Sequence, residues 1–535
     1  MELYRWQQDC LKAWERNRFR GILHVITGAG KTVAALEGAR RLEAALSRES
    51  PAVSLLLRIV VPTIAIARQW IQAVRAAYPE EIRTGGKQVG LWFGEQKDSP
   101  DCFCLIYVAP SARHSLPAQV IREMDRGCAI LLIADECHHY GSPENRKIFD
   151  FRTSPRFRED RYFTLGLSAT PQCEHFEDVL VPALGPEIYR YHLSRAIQEG
   201  TVSPFVVFQT EVALTVKEAG RYDRLTLRIL RLYRALERQY PWLKDGVPLS
   251  RLQALADEQK DPDSLLRQYL NLLLLRRELC LRADNRMRCA MDLIRRQKRT
   301  DRIILFCERI DQAEAVHTAL RNSLPSQTGI YHSEMSGEKR REVLRDFRDG
   351  VIRILVACKA LDEGVDVPEA SVGIVLSCTR TDRQRIQRLG RILRRADGKR
   401  QAVLYYIHLS PWIDDAVYLP DLSDNLPLVD LTYSAADHLF ESPLYTACAG
   451  IAYRKAIRQG AEQAPLKELR KHLDQGVTQP EWLLPPEEIE KVLRDAADRS
   501  ERNRLIALRL VARARVALSR PDQQHSPHSP GTCFS

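Results

Sequence analysis

The stretch HVITGAGKTVAAL, residues 24–36, reads as an apolar strand, a glycine-rich turn and the start of a helix. Gly28 and Gly30 let the backbone turn tightly and aim N–H groups at an anion, with Thr27 and Ala29 completing the loop. Lys31 brings a positive charge to terminal phosphates, and the Thr32 hydroxyl suits Mg²⁺. Where the general phosphate-loop pattern has its first glycine, this chain has Val25. A phosphate loop needs a second metal ligand at the end of a neighbouring strand. AILLIADECHH, residues 129–139, supplies it: Asp135 closes an apolar run and can hold Mg²⁺ through its hydration shell, and Glu136 is placed to take a proton from an attacking water. Taken singly, these are also the patterns of an ordinary glycine turn and of an Asp-Glu pair capping a helix; together they argue for an ATP site.

Outward from this pair the chain keeps one rhythm. GILHVIT, LLLRIVVPT, CFCLIYVAPS, CAILLIADE and YFTLGLSAT are short apolar runs separated by helical stretches between residues 20 and 190, the pattern of a parallel sheet covered on both faces. After EGTVSP and one more strand-like run, FVVFQTEVAL, residues 215–300 turn helical in period and rich in Leu and Arg. Strands return from residue 301 with RIILFCE, TGIYHS, IRILVACK, SVGIVLS and AVLYYIH. The fold class is therefore α/β, with two parallel-sheet halves. The expected domains are 1–202, 203–410 carrying a helical insert at 215–300, a helical C-terminal accessory region at 411–519, and a disordered tail at 520–535.

TGAGKT followed by DECH resembles motifs I and II of the superfamily 2 helicases, in the DExH-box branch. Other motifs of that family follow in order. YRWQQDCL resembles the Q motif, IVVPTIAIARQW motif Ia, LGLSATP motif III, RIILFCERID motif IV, ACKALDEGVDVPEA motif V and QRLGRILRR motif VI. The resemblance covers residue 3 to about residue 410, and in this family the first glycine of the phosphate loop is not required. It implies two RecA-like domains in tandem, with ATP and Mg²⁺ as cofactors. The residues implied for nucleotide binding are Gln7, which would read adenine, Thr27 to Thr32, Gly364 and Asp366. Thr32 and Asp135 would hold the metal; Glu136, Lys31, Gln387, Arg391 and Arg394 would be catalytic. His138 and Ser168-Ala169-Thr170 would couple the nucleotide to the strand, and Pro62, Thr63 and Gln69 would line the nucleic-acid groove.

Read as a helix, motif VI puts Gln387, Arg391 and Arg394 on one face beside an apolar face of Ile386, Leu389 and Leu393. Such guanidinium groups stabilise charge on a γ-phosphate. The implied function is an ATP-dependent helicase or translocase on DNA rather than RNA, in repair, restriction or phage defence. The competing reading is an ATP-gated nucleic-acid-binding scaffold subunit with little unwinding, against which the intact Glu136 and both arginines argue. A protein partner through the insert or the C-terminal region is a further expectation.

Composition permits this reading. Lys and Arg number 80 against 69 Asp and Glu, a formal net charge of +11, which suits a polyanion without requiring one. No apolar run reaches the roughly 18 residues of a membrane span. The start, MELYRWQQDC, is polar, so the expected location is the cytoplasm with no membrane partner. The 13 cysteines are scattered, and Cys102, Cys104 and Cys128 match no zinc spacing, so buried thiols are expected. Trp242, in the turn YPWLKDGVPL, reads as packing rather than base stacking. A helix over 487–518 would bring Arg502, Arg509, Arg513 and Arg520 to one face, beside Leu505, Leu508, Ala512 and Val516. That face is either a docking surface or the solvated edge of a packed helix.

Overall fold

The computed structural model describes residues 3–518 except 50–51, 202–204, 246–248, 260–263, 325–326, 359–369, 378–401, 411–427 and 461. Continuous apolar runs become buried strands. β1 (Ile22–Val25), β2 (Leu55–Val61), β3 (Val89–Phe93), β4 (Gln96–Lys97), β5 (Cys104–Val108), β6 (Ala129–Asp135), β7 (Tyr162–Ser168) and β8 (Glu187–Tyr191) form one sheet in the order β4-β3-β5-β2-β6-β7-β1-β8. Every pairing is parallel except that of β3 with β4. Helices cover the sheet, so β5 is buried along its length and β2 nearly so. Four of these strands lie side by side as β2-β6-β7-β1, and the turns at their C-terminal ends carry the residues singled out in the sequence.

The second sheet contains β9 (Phe205–Val212), β10 (Ile303–Cys307), β11 (Thr328–Tyr331), β12 (Ile354–Cys358), β13 (Val372–Val375), β14 (Ala402–Leu409), β15 (Leu428–Ser434) and β16 (Leu439–Glu441). Their order is β11-β12-β10-β13-β14-β9-β15-β16. The helices expected beyond residue 410 are thus preceded by two strands. In β15, LVDLTYS, burial alternates along the strand as a sheet requires, a period-2 signal too short to stand out beside the prolines and aspartates before it. Contacts divide the described residues into two compact units. One holds the chain up to Phe205 with Arg299–Leu404; the other begins with Val206–Lys298 and includes the residues from Leu428 onward.

The insert consists of helices Val216–Gln239, Leu249–Gln259, Leu265–Leu281 and Asp284–Arg296. The first starts at a capping box: Thr215 Oγ1 accepts from Glu218 N, and Glu218 Oε2 accepts from Thr215 N. Trp242 packs with Tyr240, Leu255 and Tyr269 around buried Leu236, Leu243 and Leu252, in agreement with a packing role.

The single helix expected over 487–518 is instead two, Pro486–Asp495 and Arg499–Leu518. Asp498 explains the break, because its Oδ2 accepts from Glu501 N and starts the second helix. Leu505, Leu508 and Ala512 are buried as expected, and Arg502 and Arg513 are exposed; Arg509 pairs with Glu490, and Arg520 lies outside the described residues. The packed reading of this face is the better one.

Beneath these helices Arg504 bridges Glu501 and Glu481, and Lys298 reaches both carboxylates at 3.3 Å. The hydrogen bonds from Arg504 hold the Glu501 carboxyl down to about 2, below its ordinary 4.5. A carboxyl depressed in the folded state contributes stability above its unfolded value and loses it as pH falls through the folded value. Melting temperature should therefore drop between about pH 4.5 and pH 2, and a melting titration of Glu501→Gln should show a shallower drop.

Candidate active site

After β1 the chain turns through Thr27, Gly28, Ala29 and Gly30 into the helix Lys31–Glu49. Gly28 and Gly30 have φ of 84° and 99°, a region open to glycine and costly to other residues, so the turn depends on both. Lys31 and Thr32 open the helix, where backbone N–H groups and the helix dipole favour an anion. Gln7, buried on the helix Arg5–Arg16, grips this loop. Its Nε2 donates to Gly30 O at 3.0 Å and its Oε1 accepts from Tyr4 N at 2.9 Å. A Cβ added at Gly30 would lie 2.9 Å from Gln7 Nε2, so loop and glutamine fit without spare room.

At the end of β6, two β-strand neighbours away from β1, Asp135 is held on both oxygens. Oδ2 accepts from Trp70 Nε1 at 2.8 Å and Oδ1 from Glu136 N at 3.1 Å. Burial, reinforced by the charge of Glu136, pushes the Asp135 carboxyl up to about 6. Glu136 has φ 47° and ψ 51°, a left-handed conformation costing a non-glycine residue of order 1–3 kcal/mol. Its Oε1 accepts from Lys31 Nζ at 3.4 Å. Its Oε2 is buried with no hydrogen-bond partner, 3.5 Å from His138 Nδ1. Burial alone would raise the Glu136 carboxyl, but Lys31, His138 and His139 together outweigh it and hold it below its ordinary value. Glu136 is thus ionised at neutral pH, with Oε2 lacking a hydrogen-bond donor and placed to accept a proton.

His138 Nδ1 lies 2.9 Å from Ser168 Oγ, which also accepts from Thr170 N at 3.0 Å. The four expected coupling residues, with Ala169 buried among them, therefore meet where β6 and β7 end side by side. Pro62 and Thr63 follow β2; Thr63 Oγ1 accepts from Ile66 N at 3.4 Å and caps the helix Ile64–Ala77, on which Gln69 is half-buried. Gly364, Asp366, Gln387, Arg391 and Arg394 lie outside the described residues.

Trp70 is the site residue that sequence reasoning passed over. The spacing of Ile66, Ala67, Trp70, Ile71 and Val74 turns it inward, but no local signal shows that its N–H ends on Asp135. Among the described residues no group of three or more His, Cys, Asp and Glu is arranged for a metal. Thr32 and Asp135 fit Mg²⁺ in another way, since that ion is commonly held by one or two carboxylates plus substrate phosphates. Cys102 and Cys104 are buried as expected, whereas Cys128 is half-buried.

Comparison with known proteins supplies the family. Residues 1–173 match the family described as type III restriction enzyme, res subunit, and residues 285–396 match the helicase conserved C-terminal domain. The chain belongs to the superfamily 2 helicases and translocases. The enzymes of that family are nucleic-acid-dependent ATPases, and this chain is an enzyme of that class. It is similar to the DNA 3'-5' translocase XPB2 of Sulfurisphaera tokodaii, 28% identical over 401 residues, covering 74% of this chain and 80% of that one. A shorter match, 37% identical over 91 residues, covers 16% of this chain and 13% of the UvrABC system protein B of Acaryochloris marina. The helicase domain of Pyrococcus furiosus Hef superposes with a TM-score of 0.50 at 16% identity, covering 76% of this chain and 96% of that one, and has the same fold.

Proposed function

We propose that this superfamily 2 member is a DNA translocase or helicase that hydrolyses ATP to move along its track. The observation that carries the reading is the meeting of Lys31, Asp135 and Glu136, contributed by segments a hundred residues apart, with Glu136 ionised and its buried Oε2 without a hydrogen-bond partner. Lys31 and the loop N–H groups would bind phosphates, Gln7 would read adenine, and Glu136 would take the proton of the attacking water. Thr32 and Asp135 would hold Mg²⁺, which when bound neutralises phosphate charge. Gly364 and Asp366 remain proposed nucleotide contacts, with Gln387, Arg391 and Arg394 the groups proposed to meet charge on the γ-phosphate. The domain limits expected from the sequence are part of this proposal.

DNA as the track is supported by the name of the XPB2 relative and restriction by the description of the matched family; repair and phage defence are the other processes of this proposal. A cytoplasmic location belongs to the same reading; among the described residues no helix is long and apolar enough to cross a membrane. Pro62, Thr63 and Gln69 are the proposed groove contacts.

The insert offers further support for a polyanionic track. Lys217, Arg221, Arg224, Arg228 and Arg231 are spaced four, three, four and three residues apart on the helix Val216–Gln239, and all are exposed. An adjacent face is buried through Leu225, Ile229 and Leu236. Arg224→Ala with Arg228→Ala should flatten the plot of log affinity against log salt by about two, at about 0.9 for each phosphate contact, and leave turnover without polymer unchanged.

The test of the whole reading is ATP hydrolysis by the purified protein alone and with single-stranded DNA, duplex DNA and RNA. Stimulation by DNA is expected, and strand displacement then separates a helicase from a translocase. No stimulation by any polymer would overturn the motor reading and leave a nucleotide-gated scaffold.

A further inference from the structure

We infer that Trp70 is a positioning residue that fixes the carboxylate of Asp135 for its metal and ties it to the helix Ile64–Ala77. The inference rests on the proposed nucleotide site and adds to it a residue and a direction of coupling. Trp70 is 1% exposed, and an indole offers a single donor and no acceptor. That donor ends on Asp135 Oδ2 at 2.8 Å, while the backbone N–H of Glu136 holds Oδ1 at 3.1 Å. Two donors on two oxygens leave the carboxylate one plane to occupy, with lone pairs on both oxygens still open toward a cation and its water.

The two donors differ in origin. Glu136 N belongs to the turn that carries Asp135 itself, so it moves with the carboxylate. Trp70 Nε1 belongs to a different element, which starts at the Thr63 cap and carries Gln69 one residue before the indole. Thr63 and Gln69 are proposed to touch the nucleic acid. A shift of this helix on binding a strand therefore moves the indole against Oδ2 and changes how Asp135 is held. One N–H joins the proposed track surface to the proposed metal ligand.

The test isolates that N–H. In the full chain, residue 70 is replaced by benzothienylalanine, which keeps the shape of the indole and puts sulfur in place of the N–H; Trp70→Phe serves as a second variant. Binding of MnCl₂ in the presence of ADP is followed by the electron paramagnetic resonance signal of free Mn²⁺, with thermal melting as a control for folding. Loss of a group that orients a metal ligand typically weakens metal binding 10- to 100-fold, and a loss of about that size is expected in both variants. Mn²⁺ binding equal to wild type in the benzothienylalanine protein would overturn the inference. No ADP-dependent Mn²⁺ binding by the wild type would overturn the nucleotide-site reading instead. A second readout is the ratio of DNA-stimulated to basal ATP turnover. The ratio should fall in both variants; a weakened metal site with an unchanged ratio would overturn the coupling half alone.

Discussion

Glu136→Gln is expected to lower DNA-stimulated ATP turnover by about 10² to 10⁴-fold, the usual contribution of a general base. The substitution keeps size and hydrogen-bonding shape and removes the group that takes the proton. Glu136 is well suited to that role because Lys31, His138 and His139 keep it ionised despite burial, while its strained backbone aims the side chain off the end of β6. Asp135 is the opposite case: burial and the neighbouring charge push its carboxyl up to about 6. Binding of ATP in the variant should stay within a few-fold of wild type, since Lys31 and the glycine turn are untouched. A fluorescent ATP analogue measures binding and phosphate release measures turnover. Equal loss of both would mean that Glu136 builds the site instead of acting in it. Turnover equal to wild type would remove it from the chemistry.

Glu123→Ala is expected to destabilise the first sheet by about 3–5 kcal/mol, the cost of leaving a buried charge without its partner. Arg58 sits in the middle of β2 with no exposed surface, and Glu123 is on the helix Ala109–Asp125 packed against the sheet. Arg58 Nε lies 3.0 Å from each carboxylate oxygen of Glu123 and Nη2 2.5 Å from Oε1. Nη1 donates to the carbonyls of Leu57 and Cys102, and Gln119 Nε2 donates to Glu123, so the pair is saturated with hydrogen bonds. Desolvating two charges offsets most of their attraction. Arg58→Met combined with Glu123→Leu should therefore recover most of the loss. Urea titration by tryptophan fluorescence, compared at unchanged slope, measures both shifts. A single variant within about 1 kcal/mol of wild type would show that the pair is hydrated in solution.

Much of this was legible along the chain because burial and turn chemistry leave local marks. LLLRIVV and AILLIAD are near-continuous apolar runs and become strands buried on both faces; Gly28 and Gly30 stand where the backbone turns left-handed. The Leu- and Arg-rich period of residues 221–240 becomes one helix with an apolar and a basic face. The reading was weaker where two local signals competed, as at Asp498, whose capping of a new helix ended the one that the arginine spacing suggested.

Local pattern alone determined that an ATP-type phosphate loop, a carboxylate pair and two parallel sheets occur in this chain, because period, glycine and charge act over a few residues. Strand order was decided only by tertiary structure. The arrangement β2-β6-β7-β1 brings Thr63, Asp135, Ser168 and Lys31 to neighbouring strand ends, although β6 and β7 follow β2 and β1 by many residues. The same holds for Trp70 on Asp135, Gln7 on Gly30 and Arg58 on Glu123. Each is a donor whose need for a buried partner is plain from its type, whereas the partner is whatever long-range packing places within 3 Å of it.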